Sequence, residues 1–373
     1  MDEIKQCDKK RVLGITCLLI LLFLSGCNTD SQTFELDDFY IESQTYEDID
    51  SKIVWPLEKG SGFDEKTINE LTDLYKSLSF TRSLIIMKDN QLMMEAYFNG
   101  SGPSDSENVH SVSKSILSAL IGIAIEEGFI EDIDQSIADF LPSDYFEGEY
   151  KNRNKITIRH LLNMNTGLDW SEDYSEYRIL GELDWVKDIL EQDMLYIPGT
   201  HFNYSTGNTY LLAVVLAEAT GIPLKDYAEQ YLLNDIGVTV EYWHKNTQGY
   251  YSGGCNLFLT PMEIARFGQL YLDKGVWNDK QVIPEAWVKE SVEKSVFFDD
   301  TFYDGGYGYL WWTHTIKGYE VKTAWGYGGQ MLHIIPELDL IFVSTTNSGM
   351  EAAHENSMLT FELLEDVIIF SFE

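Results

Sequence analysis

The chain has 373 residues, 13% aromatic and 23% charged, with a formal net charge of -35 at pH 7. That is length for a large core in one big domain or two smaller ones, and the aromatic content excludes a disordered chain. The acidity excludes nucleic acid as a partner, because its phosphates would be repelled; it reads as a well-solvated surface.

Lys9, Lys10 and Arg11 form a basic n-region, and Val12 to Leu24 is an apolar stretch too short for a comfortable membrane span. Leu24-Ser25-Gly26-Cys27 ends it. This resembles a bacterial lipoprotein signal. The resemblance implies a signal peptide at 1–26, lipidation of Cys27 as the mature N-terminus, and a soluble domain held extracytoplasmically at a membrane by its lipid. The alternative is an uncleaved anchor, with the same placement of the rest of the chain. Cys7 and Cys17 leave with the signal, so Cys255 stands alone and no disulfide is expected. In "GGCNLFL" it reads as a small packed residue.

Residues 27–60 read as an acidic tether and approach segment, and 61–373 as the folded domain. Phe63 to Leu78 has helical spacing, with Ile68, Leu71 and Leu74 on one stripe. "SLIIMKDNQLMMEAYFNG" predicts two strands around an Asp89-Asn90 turn. "VSKSILSALIGIAIEEGF" follows, apolar on nearly every face, which is the pattern of a core helix. A helical region is predicted over about 130–250. Within it, Thr157 caps a helix running to near Gly167, "WVKDILEQ" is amphipathic, and "TYLLAVVLAEATG" is a buried helix ended by Gly221. Thr260 and Pro261 start another helix that Gly275 ends. From about 305 the pattern returns to strands, closed by an apolar-striped helix over 351–369. Strands at both ends around a helical middle predict one sheet built from both ends of the chain. No internal repeat or low-complexity tract interrupts it.

Ser-x-x-Lys occurs twice, at Ser111–Lys114 and Ser291–Lys294, and chance supplies roughly one such match. Around Ser291, the residues Lys289, Glu290 and Glu293 mark a solvated helix face. Around Lys114 the neighbours are Val112, Ile116, Leu117, Leu120 and Ile121. Residues at i and i+3 share a helix face about 5–6 Å apart at Cβ, so Ser111 and Lys114 sit side by side at the helix start. Burial penalises an ammonium, and a neutral lysine can take a proton from a serine hydroxyl. Backbone N–H groups at the helix start suit an oxyanion. The competing reading is that Ser111 caps the helix and Lys114 snorkels out.

"SVSK" heading an apolar helix resembles the active-site start of the class C β-lactamase family, which includes D,D-peptidases, esterases and nylon-oligomer hydrolases. "ITIRHLLNMNTGLDW", "IPGTHFNYSTGNTYLLAVVLAEATG", "GGCNLFLTPMEIARFGQLYLDKGVWNDKQVIPEAW" and "AWGYGGQMLHIIPELDLIFVSTTN" resemble further segments of that family, in its order, across most of 65–370. The resemblance implies an α/β (α+β) fold with an antiparallel sheet flanked by N- and C-terminal helices and an inserted helical subdomain. It implies a serine hydrolase that forms an acyl-enzyme and needs no cofactor. Ser111 would be the nucleophile, Lys114 its base, and Tyr204 in "YST" the tyrosine that relays a proton to the leaving group.

Two departures narrow the substrate. The third position of the tyrosine motif is Thr206, where the family has asparagine, which casts doubt on β-lactam recognition. At the last motif two registers are possible. Lys322-Thr323-Ala324 mimics a carboxylate-binding Lys-Thr-Gly. Trp325-Gly326, followed by Gly328, Gly329 and Gln330, resembles the esterase and amide-hydrolase branches and fits better. In that register the N–H groups of Ser111 and Tyr327 would form the oxyanion hole, with Trp325, Gly326 and Gly328 beside the substrate. The expected substrate is a small-molecule ester or amide. A true β-lactamase or D,D-peptidase, and a sensor that acylates without turnover, are the rival readings. The histidines lack metal-ligand spacing, so no metal is expected. His110 reads as structural or rim, and "GYGGQ" lacks the signature of a phosphate cradle. Trp170, Tyr174 and Tyr177 either line a substrate gorge or pack.

Overall fold

The computed structural model describes residues 53–54, 65–172, 184–297, 305–349 and 353–370. The chain divides into two units, Met1–Thr45 and Tyr46–Glu373, and all the described residues belong to the second. The leader, Cys27, Tyr174 and Tyr177 lie outside the described residues.

The predicted hairpin forms as β2 (Thr81–Lys88) and β3 (Gln91–Tyr97). Asp89 and Asn90 take φ +49° and +58°, the paired left-handed conformation that matches a two-residue turn to the strand twist. β1 (Ile53–Val54) pairs antiparallel with β3, placing Ile53 opposite Ala96. The approach segment thus contributes an edge strand, and sheet membership begins before residue 61. Two residues are too short to carry an alternation, so the sequence pattern could not show it.

β4 (Glu107–Asn108) pairs with β5 (Phe258–Leu259), and β6 (Val276–Trp277) with β7 (Lys280–Gln281). Later strands are β8 (Val296–Phe297), β9 (Gly306–Tyr307), β10 (Trp312–Ile316), β11 (Tyr319–Gly326), β12 (Gln330–Ile335) and β13 (Leu340–Thr346). They join the hairpin in one antiparallel sheet of order β1-β3-β2-β13-β12-β11-β10-β9-β8. Both ends of the chain build it, as expected.

Strand periodicity puts alternate residues on opposite faces. The register aligns Ile85, Val343, Leu332 and Ala324 in one row. This row faces α2 (Val112–Glu126) and α7 (Pro261–Leu272). The neighbouring row, Ile86, Phe342, His333 and Thr323, faces the terminal helices, α1 (Glu65–Ser77) and α9 (Ala353–Phe370), with Leu71, Tyr75, Phe361 and Leu364 filling the layer. In α1 the inward stripe runs through Leu71 and Tyr75, while Leu74 is 37% exposed. The stripe steps by four residues there, as helical geometry allows.

α2 buries every residue from Val112 to Ala124. Each fully buried Ile or Leu contributes about 1.5–3 kcal/mol, so this helix is a mainstay of the core. It lies between the sheet and α5 (Thr206–Thr220). The other helices of the middle region are α3 (Ile158–Leu162), α4 (Trp185–Leu190) and α6 (Leu224–Ala228). α3 has its Thr157 cap but stops at Leu162, short of Gly167, because Asn163 caps it and Met164 turns to φ +54°. α5 ends at Gly221 with φ +67° as predicted. Helix stops at Leu233, and 234–257 is turns and isolated bridges, so the helical region is shorter than 130–250. In α8 (Glu285–Ser291), Lys289 is exposed but Ser291 is buried, its hydroxyl on the Val288 carbonyl at 3.3 Å. That serine belongs to the core, not to the solvated face predicted for it.

Two buried histidines on the α9 face set an acid limit on the fold. His333 Nδ1 lies 2.8 Å from Thr323 Oγ1, and the rings of His314 and His333 each pack 5.1 Å from Phe361. Burial, with Lys294 adding, pushes His314 down to about 4, and burial, with His314 adding, holds His333 well below its ordinary value. Both are neutral when folded, whereas the unfolded chain takes up protons below about pH 6.5. Stability is therefore full above pH 6.5 and falls as pH drops toward 4. His314 alone accounts for about 3 kcal/mol across that window. Urea midpoints at pH 7.5 and 4.5 check this; equal midpoints would contradict it, and His333→Leu should flatten the dependence.

Candidate active site

The start of α2 is held on both sides. Asn108, on β4, accepts the His110 N–H at 2.9 Å and the Asn256 N–H at 3.1 Å on its Oδ1. His110 takes φ +47°, a conformation that costs a non-glycine residue energy and that packing must enforce. Its Nε2 lies 2.9 Å from Ser348 Oγ, and its ring meets Tyr327 edge-on at 5.6 Å. Burial, followed by the charge of Lys114, pushes the His110 imidazole down to about 4. His110 is thus a neutral bracket between α2 and the turn after β11, consistent with a structural or rim residue.

Ser111 caps α2 with φ -71° and no side-chain cap bond, so its hydroxyl is not spent on the helix. Lys114, one turn on, is 2% exposed. Its Nζ donates to Ser111 Oγ at 2.8 Å, to Thr206 Oγ1 at 3.0 Å and to the Gly254 carbonyl at 2.9 Å. Those three oxygens hold the amine in place from three sides. Lys114 does not snorkel; it is fixed from α2, α5 and the 253–257 loop.

Gly254 is a glycine because nothing larger fits. A Cβ there would stand 2.4 Å from Thr209 Oγ1, 2.8 Å from Thr206 Cγ2 and 3.2 Å from Lys114 Nζ. The adjacent Cys255 packs with Sγ 3.2 Å from Tyr210 Oη, a small residue in a packed place.

Thr206 opens α5, with Ser205 as its cap. Its hydroxyl receives Lys114 and donates to Glu172 Oε2 at 2.6 Å, while its N–H donates to Glu172 Oε1 at 2.7 Å. Trp170 Nε1 donates to the same Oε1 at 2.7 Å. The Tyr204 ring centroid lies 5.1 Å from Lys114 Nζ, and the ring is backed by Trp312 at 5.6 Å and Tyr307 at 6.2 Å. Burial, then Tyr204 and Glu172, hold the Tyr307 phenol well above its ordinary range, so it stays protonated and does not compete as a base.

The last motif is placed by β11. A Cβ on Gly326 would stand 2.4 Å from the Val109 carbonyl, so the end of this strand abuts the chain just before Ser111. Gly328, at φ +81°, turns the chain back, and Tyr327 is 58% exposed beside His110. The Trp325 ring packs on Phe361 at 5.0 Å and Trp312 at 5.7 Å. Lys322 is spent elsewhere: its Nζ donates to the Val292 carbonyl at 3.0 Å and pairs with Glu320 at 2.9 Å. Gly326, not Lys322, meets the start of α2.

Ser111, Lys114, Tyr204 and Thr206 therefore converge, with the 326–328 turn alongside. Sequence reasoning missed Glu172 and the Gly254 carbonyl. Neither had a signal in the sequence: the Gly253-Gly254 pair names no acceptor, and Glu172 reads as one more surface carboxylate. Chemically, the arrangement can pass a proton between a serine hydroxyl and a buried amine.

The Beta-lactamase family model matches residues 81–365. A 6-aminohexanoate-dimer hydrolase of Paenarthrobacter ureafaciens is 25% identical over 312 residues, 74% of this chain and 76% of that protein. Among solved structures, a penicillin-binding protein homolog from Caulobacter crescentus superposes with TM-score 0.67 at 12% identity, covering 86% of this chain and all of that one. A D-stereospecific amidohydrolase from Streptomyces sp. gives 0.59 at 15% identity, covering 75% and 94%. These superpositions show that the chain shares its fold with both neighbours. With a family match across most of its length, the chain belongs to the Beta-lactamase family and is a serine hydrolase of that family.

Proposed function

We propose that the chain hydrolyses a carboxylic ester or small amide through an acyl-enzyme on Ser111. The observation that carries this reading is the buried Lys114 amine 2.8 Å from Ser111 Oγ. With Lys114 neutral, Ser111 Oγ attacks the substrate carbonyl carbon and its proton passes to Nζ. The oxyanion is held by the N–H groups of Ser111 and Tyr327. As the tetrahedral intermediate collapses, the bond to the leaving oxygen or nitrogen breaks, and that atom takes the proton from Lys114 by way of Tyr204. Water then cleaves the acyl ester, releasing the acid and returning the proton to Ser111. Thr206, Trp325, Gly326 and Gly328 border the substrate in this reading, and a lipid on Cys27 tethers the domain to a membrane.

An ester or amide is favoured over a β-lactam because Lys322, the cation that its motif would offer a β-lactam carboxylate, is held by Val292 and Glu320 instead. The 6-aminohexanoate-dimer hydrolase name of one sequence relative points the same way. A panel of p-nitrophenyl butyrate, 6-aminohexanoate dimer and a chromogenic cephalosporin tests this. The ester or the amide should turn over, and Ser111→Ala should lose at least about 10³-fold. Cys27→Ser should leave the membrane fraction with activity intact. Efficient cephalosporin turnover, lost in Lys322→Ala, would overturn the substrate class. A stoichiometric burst with a stable adduct would make the protein a sensor.

A further inference from the structure

Lys114 has three neighbours that can accept a hydrogen bond, and a neutral amine has only two protons. Which direction keeps the lone pair decides whether the amine can act as a base. The Gly254 carbonyl can only accept, so one amine proton points there. Thr206 is ambiguous on its own, because a hydroxyl both donates and accepts. Glu172 removes the ambiguity: its carboxylate takes the Thr206 hydroxyl proton at 2.6 Å, leaving Thr206 only lone pairs to offer Nζ at 3.0 Å. The second amine proton must then face Thr206, and the lone pair faces Ser111. The carboxylate is itself fixed by the Thr206 N–H and by Trp170 Nε1, both at 2.7 Å.

We propose that Glu172 is a positioning residue that acts through Thr206 to aim the lone pair of neutral Lys114 at Ser111. The inference rests on the reading of Ser111 as nucleophile and Lys114 as base. It also gives the departure at Thr206 a function: a threonine transmits the direction set by the carboxylate, through a hydroxyl that receives on one side and donates on the other.

The experiment is fluorophosphonate labelling of wild type, Glu172→Gln, Thr206→Val, Thr206→Ser, the Glu172→Gln/Thr206→Val double variant and Ser111→Ala, followed over probe concentration and pH. Glu172→Gln should lower the limiting labelling rate about 10- to 100-fold, the scale of lost orientation around a catalytic group, with the half-saturating concentration within about two-fold. Thr206→Val should do the same, the double variant should be no slower than either, and Thr206→Ser should restore the rate to within about three-fold of wild type. The pH midpoint of labelling should move lower in Glu172→Gln, because a negative charge next to the lysine's partner is gone. Other ionisable groups around the pair are His110, Tyr204, Tyr210, Tyr307, Tyr327 and Cys255. Burial keeps His110 uncharged and the Tyr210 and Tyr307 phenols protonated across neutral pH.

Glu172→Gln labelling at the wild-type rate with an unmoved midpoint would overturn the proposal. So would normal labelling followed by a trapped acyl-enzyme, which would place Glu172 in deacylation. So would a loss confined to half-saturation or melting temperature. Failure of the underlying reading looks different: wild type unlabelled, or Ser111→Ala labelled as fast as wild type.

Discussion

Lys114→Met is expected to lose at least about 10³-fold in labelling and turnover while melting within about 5 °C of wild type. The two halves of that expectation have separate causes. The amine is 2% exposed and 2.8 Å from Ser111 Oγ, and no other group among the described residues bonds that hydroxyl. Methionine fills much of the same volume. It also removes the cost of burying a polar amine in a largely apolar helix. Against this, the Gly254 carbonyl loses its donor, at about 1–3 kcal/mol. Thr206 keeps Glu172. The near balance predicts a folded, inactive protein. Thermal melts and labelling rates on one preparation measure both halves. More than a tenth of wild-type labelling would mean that another group takes the proton.

Gly254→Ala is expected to damage fold and chemistry together. Its methyl would sit 2.4 Å from Thr209 Oγ1, on a residue whose hydroxyl is bonded to the Thr206 carbonyl inside α5. It would also press on Thr206 Cγ2 at 2.8 Å. Neither neighbour is the free end of a flexible side chain, so the 253–257 loop or the first turn of α5 must shift. Overpacking of this kind costs about 1–3 kcal/mol. A shift of about 1 Å in a catalytic group can cost about 100-fold in rate, and here both Lys114 acceptors opposite Ser111 would move. Urea unfolding and turnover together test this. A stable variant with wild-type turnover would show that the close approach is softer than the geometry requires.

What could be read from the sequence follows from range. α2 was legible because a helix apolar all round has one environment available to it. The β2–β3 hairpin and the Thr260 cap of α7 were legible because local bonds specify them. Ser111 and Lys114 were legible as a pair because one helical turn joins them. The remaining partners of Lys114 were not, since Thr206 lies 92 residues away and Gly254 140, and no local pattern encodes a carbonyl acceptor. Glu172 sits in an irregular stretch after Trp170, where a carboxylate reads as solvated surface. The two registers at the last motif were close for a physical reason: Lys322 and Gly326 are four residues apart on one strand and so share a face. Only the pairing of Gly326 with Gln330, and of Lys322 with Ile334, shows which one lies at the end beside residue 109. The Leu74 and Ser291 corrections share an origin, since burial at a helix margin depends on neighbours that helical spacing does not name.

The most direct test of the account is fluorophosphonate labelling of the signal-less protein followed by peptide mass analysis. A single fast adduct on Ser111 is expected, lost in Ser111→Ala and slowed at least about 10³-fold in Lys114→Met. No labelling of well-folded protein, or an adduct on any other residue, would contradict it.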